Sequence, residues 1–253
     1  MTFDGLFDLK GRTALVTGAR KGIGFAIACA LAEYGADIIG VSSQQEPEDE
    51  LQKYVTGLGR KFEGIACDFR VRSQTLALVE RLKGTQVDIL INNAGLSNRA
   101  VVLEHTDELW DDTIEIDLTA PFILSRELAR GMAERGYGKI VFIGSMWTFQ
   151  GGKNVISYTA AKTGLAGLTR GLSNELLPMG IRVNAISPGF IETDITAGVR
   201  QDKDRFEWIS SRIPIGRWGK PADLAGAALF LSSPASDYMS GVVVPIDGGY
   251  LAN

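Results

Sequence analysis

Tyr158 and Lys162 stand four residues apart in a stretch with helical patterning, so both side chains are expected on one helix face. A free phenol has a pKa of about 10, which is too high for a base at neutral pH. A nearby ammonium favours the phenolate and would make Tyr158 a general acid or base. Together with Ser145, which follows the preceding strand, the pair predicts a proton-transfer site rather than an exposed Tyr–Lys pair.

A glycine-rich segment, Thr17-Gly-Ala-Arg-Lys-Gly-Ile-Gly24, connects the first predicted strand to a helix. Its glycines permit a tight turn and close approach of backbone N–H groups to a phosphate, which a helix N-terminus also attracts. The spacing is neither GxGxxG nor a phosphate loop ending in Lys-Ser/Thr, which argues against nucleoside triphosphate hydrolysis. Because tight helix–strand packing also selects glycine, the strand–turn–helix context is what predicts pyrophosphate binding.

The fourth predicted strand ends in Asn92-Asn-Ala-Gly95. Small residues at the carboxyl end of a strand let a flat ring approach the backbone, and two amides could hold it by hydrogen bonds. Taken alone, the segment is equally typical of an ordinary turn.

The composition excludes several classes of function. Of the 253 residues, 45% are hydrophobic and 22% are charged, and the net charge of −4 gives no basic field for a nucleic-acid partner. Cys29 and Cys67 lie in separate apolar segments and are expected to be buried; with the single histidine, His105, they cannot supply a typical zinc site, so we expect no metal. A serine hydrolase is disfavoured because Ser145 lacks a Gly-x-Ser-x-Gly turn and His105 is the only possible base.

No segment is expected to cross a membrane or to direct export. The longest uncharged runs, 140–152 and 224–236, fall short of the roughly 20 residues that span a bilayer. The N-terminal segment 1–12 contains Asp4, Asp8 and Lys10 and lacks the apolar stretch of a signal peptide. We therefore expect a cytoplasmic protein without a membrane partner.

Short β-branched segments alternate with longer helical patterns along the chain. Several segments are apolar nearly throughout, as expected for strands covered on both faces. The pattern predicts an α/β fold, with one doubly wound parallel sheet of about seven strands flanked by helices in a single Rossmann-type domain over residues 1–253. The predicted strands are 13–17, 37–41, 62–67, 87–92, 139–143, 181–186 and 241–246.

An irregular stretch at about 188–220 follows a strand end and mixes Pro188-Gly189 with charged and aromatic residues. Ligands of open α/β sheets bind beyond the carboxyl ends of the strands, so this insertion is a candidate substrate lid. The alternative is an exposed amphipathic helix that merely packs on the domain.

The motifs resemble, in their order along the chain, those of the short-chain dehydrogenase/reductase family from about residue 9 to the C-terminus. They are Thr17-Gly-x3-Gly-Ile-Gly24, Asn92-Asn-Ala-Gly95, Ser145, Tyr158-x3-Lys162, Pro188-Gly189 and Asp247-Gly-Gly249. The resemblance implies an NAD(P)-dependent oxidoreductase in which Tyr158 exchanges the substrate proton and Ser145 orients the reacting oxygen. It further implies that Lys162 lowers the pKa of the tyrosine and holds the ribose hydroxyls.

The same resemblance implies a set of cofactor contacts. Asp68 is expected at the adenine, Asn93 at the ribose, and Ile191 and Thr193 at the nicotinamide carboxamide. The full expected set is Gly18, Arg20, Lys21, Gly22, Ile23, Gly24, Ser42, Ser43, Asp68, Asn93, Ala94, Gly95, Tyr158, Lys162, Pro188, Gly189, Ile191 and Thr193.

One position departs from the family pattern. Where the family usually has asparagine in the helix after the fourth strand, this sequence reads Ile114-Glu-Ile-Asp117-Leu. The resemblance makes Asp117 the fourth catalytic residue, at a position that takes part in a water-linked proton relay to the lysine. An aspartate could accept a hydrogen bond from the relay water, or pair directly with Lys162 and weaken its effect on Tyr158. Activity is expected to be retained in either case.

The stretches 145–152, 212–219 and 236–238 look like the branch that contains 2-dehydro-3-deoxy-D-gluconate 5-dehydrogenase and gluconate 5-dehydrogenase. The resemblance implies a sugar-acid substrate, and a carboxylate favours a cation at the pocket rim, above all a planar bidentate one. Arg99 is the first candidate, with Lys153, Arg200 and Arg205 behind it, although each could be a solvated surface charge. The expected substrate contacts are Arg99, Ser145, Trp147, Gln150, Lys153 and Tyr158.

The residues disagree on the cofactor. NAD sites usually carry an acidic residue at the end of the second strand, whereas this strand reads Gly40-Val-Ser-Ser43. Arg20 and Lys21 could face a 2′-phosphate, which favours NADP. The sugar-acid branch includes NAD users without that carboxylate, so both NAD and NADP stay open.

The C-terminal strand 241–246 and the helix 222–231 are rich in apolar residues, and edge elements of this kind need to be covered. In the family they form subunit contacts, so the resemblance implies a homotetramer. The leading interpretation is hydride transfer to or from a sugar acid. The alternatives are a short-chain reductase of another carbonyl (a 3-oxoacyl thioester, a polyol or sugar, a xenobiotic ketone) and a dinucleotide-binding sensor without turnover.

Overall fold

Parallel strands form one sheet in the computed structural model, which describes residues 5–44 and 49–253. The strands are β1 (Thr13–Thr17), β2 (Asp37–Ser42), β3 (Phe62–Ala66), β4 (Ile89–Asn92), β5 (Gly138–Ile143), β6 (Ile181–Pro188) and β7 (Val243–Ile246). Their order is β3-β2-β1-β4-β5-β6-β7, so the winding reverses between β1 and β4. The predicted fold class, a doubly wound seven-stranded parallel sheet in one domain, is confirmed.

Helices cover both faces of the sheet. They are α1 (Gly22–Glu33), α2 (Glu50–Gly57), α3 (Arg72–Arg81), α4 (Asp107–Ile114), α5 (Ala120–Arg135), α6 (Ile156–Leu176), α7 (Ala197–Gln201), α8 (Lys203–Ser211) and α9 (Ala222–Ser232).

Two apolar clusters, one on each face, form the core. Val16 and Ile91 belong to the cluster that includes Ile27 of α1 and Leu224 of α9. The alternate residues of the same strands, such as Leu15, belong to the cluster under α3, α5 and α6. Since successive strand residues point to opposite faces, this arrangement explains why the strands are apolar at nearly every position.

Several strand boundaries differ from the predicted ones by one or two residues. β4 begins at Ile89 rather than at residue 87, and the Asp88 carboxylate accepts a hydrogen bond from Thr13 N at 3.0 Å. β7 begins at Val243 because Gly241 turns into the strand with φ +82°. β6 continues to Pro188, whose missing N–H suits the end of a strand.

The stretch 188–220 is more regular than its sequence indicates, since it contains α7 and α8. A third apolar cluster lies beneath it and includes Met146, Ile209, Trp218 and Tyr250. Phe206 of α8 stacks on Trp218 with ring centroids 5.2 Å apart. These contacts fasten α8 to the domain.

Both cysteines are buried, as predicted, and neither forms a disulfide. Burial raises the pKa of each thiol to about 11, so neither is a thiolate at neutral pH. No helix in the described residues is long and apolar enough to cross a membrane. The expectation for segment 1–12 falls partly on residues 1–4, which lie outside the described part of the chain.

Candidate active site

Helix α6 carries Tyr158 and Lys162 on one face. The Lys162 Nζ lies 5.3 Å from the centroid of the Tyr158 ring, which is one helical turn away. Both side chains lie among groups at the carboxyl edge of the sheet, because Lys162 Nζ donates a hydrogen bond to the Ile143 carbonyl oxygen at the end of β5 (3.0 Å). The structure therefore brings the spaced pair to the edge where ligands of such sheets bind.

Asp117 contacts the same lysine. Its Oδ1 lies 3.0 Å from Lys162 Nζ, an ion-pair contact without the alignment of a hydrogen bond, and its Oδ2 accepts a hydrogen bond from Leu96 N at 3.2 Å. The side chain of Asp117 is 0% exposed and that of Lys162 is 4% exposed. Of the two arrangements left open by the sequence, direct pairing is the one present.

The local backbone at Asp117 is unusual. One turn of π-helix, Glu115–Thr119, joins α4 to α5. Glu115 at its start forms an ion pair with Arg72 of α3. Such wide turns insert one residue into a helix and occur frequently at functional sites. The sequence predicted a plain helix here, because no residue type marks a π-turn.

The pKa of Tyr158 departs from the expectation. Burial raises it above its ordinary value; the Lys162 ammonium lowers it, the Asp117 carboxylate raises it, and a hydrogen bond with Ser145 and the charge of Arg99 lower it. The net direction is upward, whereas the resemblance implied a lowered pKa. Desolvation disfavours the phenolate, and the paired carboxylate offsets the cation that would favour it.

Lys162 stays an ammonium in this environment. Burial alone would lower its pKa, but Asp117 and Tyr158 raise it above its ordinary value. Burial raises the pKa of Asp117, while the Lys162 ammonium and the Leu96 N–H counteract that rise. The 3.0 Å contact between Asp117 Oδ1 and Lys162 Nζ makes this a buried ion pair, in which the carboxylate offsets the charge of the ammonium.

Ser145 follows β5 and is fixed by its neighbours. Its N–H donates to Thr148 Oγ1 (3.2 Å), and its Oγ accepts from Trp147 N (3.3 Å). Thr148 Oγ1 in turn donates to the Lys162 carbonyl oxygen at 3.2 Å. These hydrogen bonds connect the loop after β5 to α6. They therefore fix the position of Ser145 relative to Tyr158.

The glycine-rich segment makes the turn that its spacing predicts. Gly18 has φ +65°, and a Cβ built at Gly24 would lie 2.2 Å from the Gly18 carbonyl oxygen. Asn93 Nδ2 donates to Thr17 O (2.9 Å) and Gly18 O (3.2 Å). Thr17 Oγ1 accepts from the N–H groups of Asn93 and Ala94, both at 2.9 Å. The Asn-Asn-Ala-Gly turn thus braces the loop from the neighbouring strand.

The N-terminus of α1 fits a phosphate group. Lys21 occupies the capping position with extended backbone and makes no side-chain cap, and the first turn contains no acidic residue. Among the residues that the structure describes, no side chain accepts a hydrogen bond from the first N–H groups of the helix, from Gly22 to Gly24. Unpaired helix N–H groups and the helix dipole attract anions, so a dinucleotide pyrophosphate suits this end.

Residues expected around the adenosine lie at the ends of β2 and β3. Ser42 is buried, and its Oγ has no hydrogen-bond partner among the described residues. Arg20 Nη1 donates to the Gln44 carbonyl oxygen at 3.2 Å, which places this guanidinium beside the end of β2, next to exposed Ser43. Asp68 pairs with Arg70 (2.6 Å), and that contact lowers the pKa of its carboxyl group.

The segment after β6 lies over the glycine-rich loop. Gly189 N donates to the Ile246 carbonyl oxygen at 3.0 Å, and Ile191 pairs with Gly219 in an isolated bridge. A Cβ built at Gly22 would contact Thr193 Cγ2 at 3.6 Å. Lys21 forms an ion pair with Asp194 in the same region. The expected cofactor residues of both segments therefore meet at one place.

Arg99 lies in the loop between β4 and α4. Arg99 is exposed at the surface, but partial desolvation lowers the pKa of its guanidinium; the charge of Arg205 on α8 lowers it further, and Tyr158 raises it. The neighbouring Ala100 N donates to the Asn154 carbonyl oxygen at 3.1 Å, and Asn154 is the only described non-glycine residue with a positive φ (62°). Arg99 thus shares its surroundings with the phenol of Tyr158 and with the guanidinium of Arg205 on α8.

The remaining candidate substrate residues make few contacts with the catalytic side chains. Trp147 meets Phe190 edge to face with ring centroids 6.4 Å apart. The side chains of Gln150 and Lys153 make no hydrogen bond or ion pair within the described residues, and Lys153 is exposed. Arg200 Nη2 donates to the Thr193 carbonyl oxygen at 3.1 Å, so it binds its own segment.

His105 forms no hydrogen bond with a serine or a carboxylate of the described residues. Both of its ring nitrogens lack a hydrogen-bond partner within residues 5–44 and 49–253. Thr17 and Thr148, whose hydroxyls order the site, are not among the predicted site residues. Only their places in the sequence could have indicated this role, since Thr17 directly precedes Gly18 and Thr148 follows Ser145 by three residues.

Known proteins are similar to this chain over nearly its whole length. The family model described as enoyl-(acyl carrier protein) reductase matches residues 18–251. A protein of Pseudoalteromonas atlantica named 2-dehydro-3-deoxy-D-gluconate 5-dehydrogenase is 47% identical over 248 residues, which are 97% of this chain and 98% of that protein.

Two crystal structures show the same fold. A candidate NAD(P)-dependent gluconate 5-dehydrogenase from Beutenbergia cavernae, with NADP at low occupancy, has a TM-score of 0.95 and 40% identity, covering 98% of this chain and 100% of that one. A gluconate 5-dehydrogenase from Burkholderia cenocepacia in complex with NADP and tartrate has a TM-score of 0.93 and 32% identity, with 98% of each chain covered. Similarity of this extent shows that the chain belongs to the short-chain dehydrogenase/reductase family of NAD(P)-dependent oxidoreductases.

Proposed function

We propose that the protein transfers a hydride between a nicotinamide cofactor and a secondary alcohol or ketone of a sugar acid, of the 2-dehydro-3-deoxygluconate or gluconate type. The observation that carries this proposal is the cluster of Tyr158 with the buried Lys162 and Ser145, which shares one edge of the sheet with the uncapped N-terminus of α1. A proton-exchanging phenol beside a phosphate-binding helix end is the combination that this reaction needs.

Tyr158 exchanges the substrate proton. In ketone reduction its Oη gives a proton to the carbonyl oxygen, and in alcohol oxidation the phenolate takes the hydroxyl proton. Ser145 Oγ holds the same substrate oxygen; its hydroxyl acts on Tyr158, since it lowers the pKa of that phenol. The bound nicotinamide supplies the hydride-transfer chemistry.

The N–H groups from Gly22 to Gly24 hold the pyrophosphate, and Lys162 holds the ribose. An ammonium has three N–H donors, of which one binds the Ile143 carbonyl oxygen and one faces Asp117, so a third is available for a ribose hydroxyl.

NADP is the cofactor that the contacts favour over NAD. The described residues at the end of β2 present hydroxyls and the guanidinium of Arg20, with the buried Ser42 Oγ lacking a partner among them. Lys21 by contrast is engaged with Asp194. NADP is also the dinucleotide in the two crystal structures of relatives.

The substrate carboxylate is bound by Arg99. This guanidinium shares its surroundings with Tyr158 and Arg205, and neither arginine forms an ion pair with an acidic residue within the described chain. Two adjacent cations without an acidic partner suit an anion. The relative from Burkholderia cenocepacia, crystallised with tartrate, also binds a hydroxy acid.

Residues 188–220 form the substrate lid. Asp194 and Thr193 contact the glycine-rich loop, and the charge of Arg205 acts on Arg99. These contacts support a lid that reaches both the proposed cofactor site and the proposed substrate site. The aromatic stack of Phe206 on Trp218 would hold the base of the lid.

The test is absorbance at the reduced-nicotinamide band, with 2-dehydro-3-deoxygluconate, gluconate, a neutral polyol and a 3-oxoacyl thioester, each with NADP or NAD. We expect turnover with an acid and with NADP. Turnover confined to the thioester or the polyol would contradict the sugar-acid assignment. Cofactor binding without turnover on any substrate would instead favour the dinucleotide sensor.

Arg99→Gln should raise KM for the acid substrate by about 10- to 100-fold, since a hydrogen bond to a charged group contributes about 1.5–3 kcal/mol. The KM for a neutral polyol should change little. Steady-state kinetics on both substrates measure the difference, with Arg170→Gln on the exposed side of α6 as the matched control. Equal changes for acid and polyol would remove Arg99 from the carboxylate site.

The assembly proposed is a homotetramer that works in the cytoplasm. Val242 and Tyr238 are exposed apolar residues near β7, and an edge of this kind gains by being covered. Two unpaired thiols are consistent with a reducing compartment. Light scattering should give four times the mass of one chain, and a concentration-independent monomer would contradict the tetramer.

A further inference from the structure

The charge balance at Lys162 is the feature that the proposed reaction does not by itself explain. A lysine beside a catalytic phenol helps to remove its proton only if its positive charge is not cancelled. Here Asp117 Oδ1 lies 3.0 Å from the ammonium, and both side chains are buried. At that separation no water fits between them, so the contact is direct.

The surroundings hold the carboxylate in place. Leu96 N donates to Asp117 Oδ2 at 3.2 Å, and a Cβ built at Gly95 would lie 2.7 Å from Oδ1 and 3.4 Å from Lys162 Nζ. Only a glycine at this position lets the backbone pack against the ion pair. The turn after β4 therefore packs directly against this ion pair.

Few other charges reach the phenol. The charged groups that act on Tyr158 are Lys162 on its own helix, Asp117 on the π-turn and Arg99 on the loop after β4. The loop after β5 offers the neutral hydroxyl of Ser145, and α4 faces α6 with the neutral hydroxyl of Thr113, which accepts a hydrogen bond from Ser157. Arg99 is exposed, so solvent weakens its effect.

We propose that Asp117 neutralises the Lys162 ammonium and keeps the proton on Tyr158 at neutral pH, so that alcohol oxidation reaches its full rate only under alkaline conditions. Asp117 is a positioning residue, since it acts through Lys162 and does not touch the reacting atoms. The inference rests on the proposed role of Tyr158. Ketone reduction needs the phenol and keeps its full rate at neutral pH, whereas oxidation needs the phenolate.

The first measurement needs neither cofactor nor substrate. The near-ultraviolet absorbance of the phenolate is titrated in the unmodified protein and in Asp117→Asn, each against its Tyr158→Phe counterpart, so that the difference reports Tyr158 alone. The midpoint should fall by about one pH unit or more in Asp117→Asn, since a neutral amide no longer offsets the ammonium. Equal midpoints would overturn the proposal.

Controls separate the charge from the fold. Asp117→Ser also removes the charge and should shift the midpoint in the same direction, and thermal unfolding shows that each variant is folded. Asp111→Asn, at an exposed position of α4, should leave the midpoint unchanged. A shift in Asp111→Asn as large as that in Asp117→Asn would also overturn the proposal.

The second measurement is the pH profile of kcat/KM for alcohol oxidation, whose rising limb should move to lower pH by the same amount in Asp117→Asn. If the absorbance midpoint shifts but no sugar acid is oxidised, the substrate assignment fails and the role of Asp117 stands. If oxidation is observed and neither the midpoint nor the limb moves, the function stands and this inference fails.

Discussion

Tyr158→Phe should reduce kcat by about 10²- to 10⁴-fold, the usual contribution of a positioned general acid or base. The change removes only the hydroxyl that exchanges the substrate proton and leaves the ring against the Lys162 ammonium, 5.3 Å from its centroid. Cofactor affinity should remain within a few-fold, because the pyrophosphate site lies at α1. The measurements are single-substrate kinetics for turnover and nicotinamide fluorescence for binding.

Tyr34→Phe is the matched control, since it removes a hydroxyl from a tyrosine that is 46% exposed just after α1. It should leave kcat unchanged. If Tyr158→Phe keeps more than about a tenth of the turnover, the loss is smaller than the contribution of a general acid or base, and Tyr158 is not the proton donor.

Gly24→Ala should weaken cofactor binding by at least about tenfold and lower the free energy of unfolding by about 1–3 kcal/mol. The added methyl would lie 2.2 Å from the Gly18 carbonyl oxygen and 2.5 Å from Asn93 Nδ2, both parts of the braced loop. Either the loop or the start of α1 must move, and both carry the N–H groups of the phosphate site. Fluorescence titration with NADP and denaturant unfolding measure the two effects.

Gly167→Ala provides the control for an added methyl group. Gly167 lies inside α6, and a Cβ there would contact nothing within 4 Å. This variant should bind cofactor normally and be more stable by about 0.5–1 kcal/mol, because alanine is the better helix former. A Gly24→Ala protein that binds NADP as well as Gly167→Ala does would contradict the proposed phosphate site.

The seven strands could be predicted because a strand covered on both faces is apolar at successive positions, as Leu15 and Val16 are in β1. Their ends could not be predicted as well, since they depend on distant partners such as Asp88, which binds Thr13 N. The bounds of helices α7 and α8 could not be predicted either, because these short helices also depend on contacts with distant residues. These helices are stabilised by packing on the rest of the domain, as Phe206 packs on Trp218, rather than by the helix propensity of their residues.

The sequence by itself determined the local chemistry of this protein: Tyr158 and Lys162 on one helix face, and a glycine spacing that makes a tight turn before α1. These features depend only on residues close together in the chain, so periodicity and residue type are sufficient. Only the tertiary structure decided that Asp117 pairs with Lys162 and that the pKa of Tyr158 rises. Both depend on how two separate helical segments pack and exclude water, and no local pattern encodes that distance or that burial.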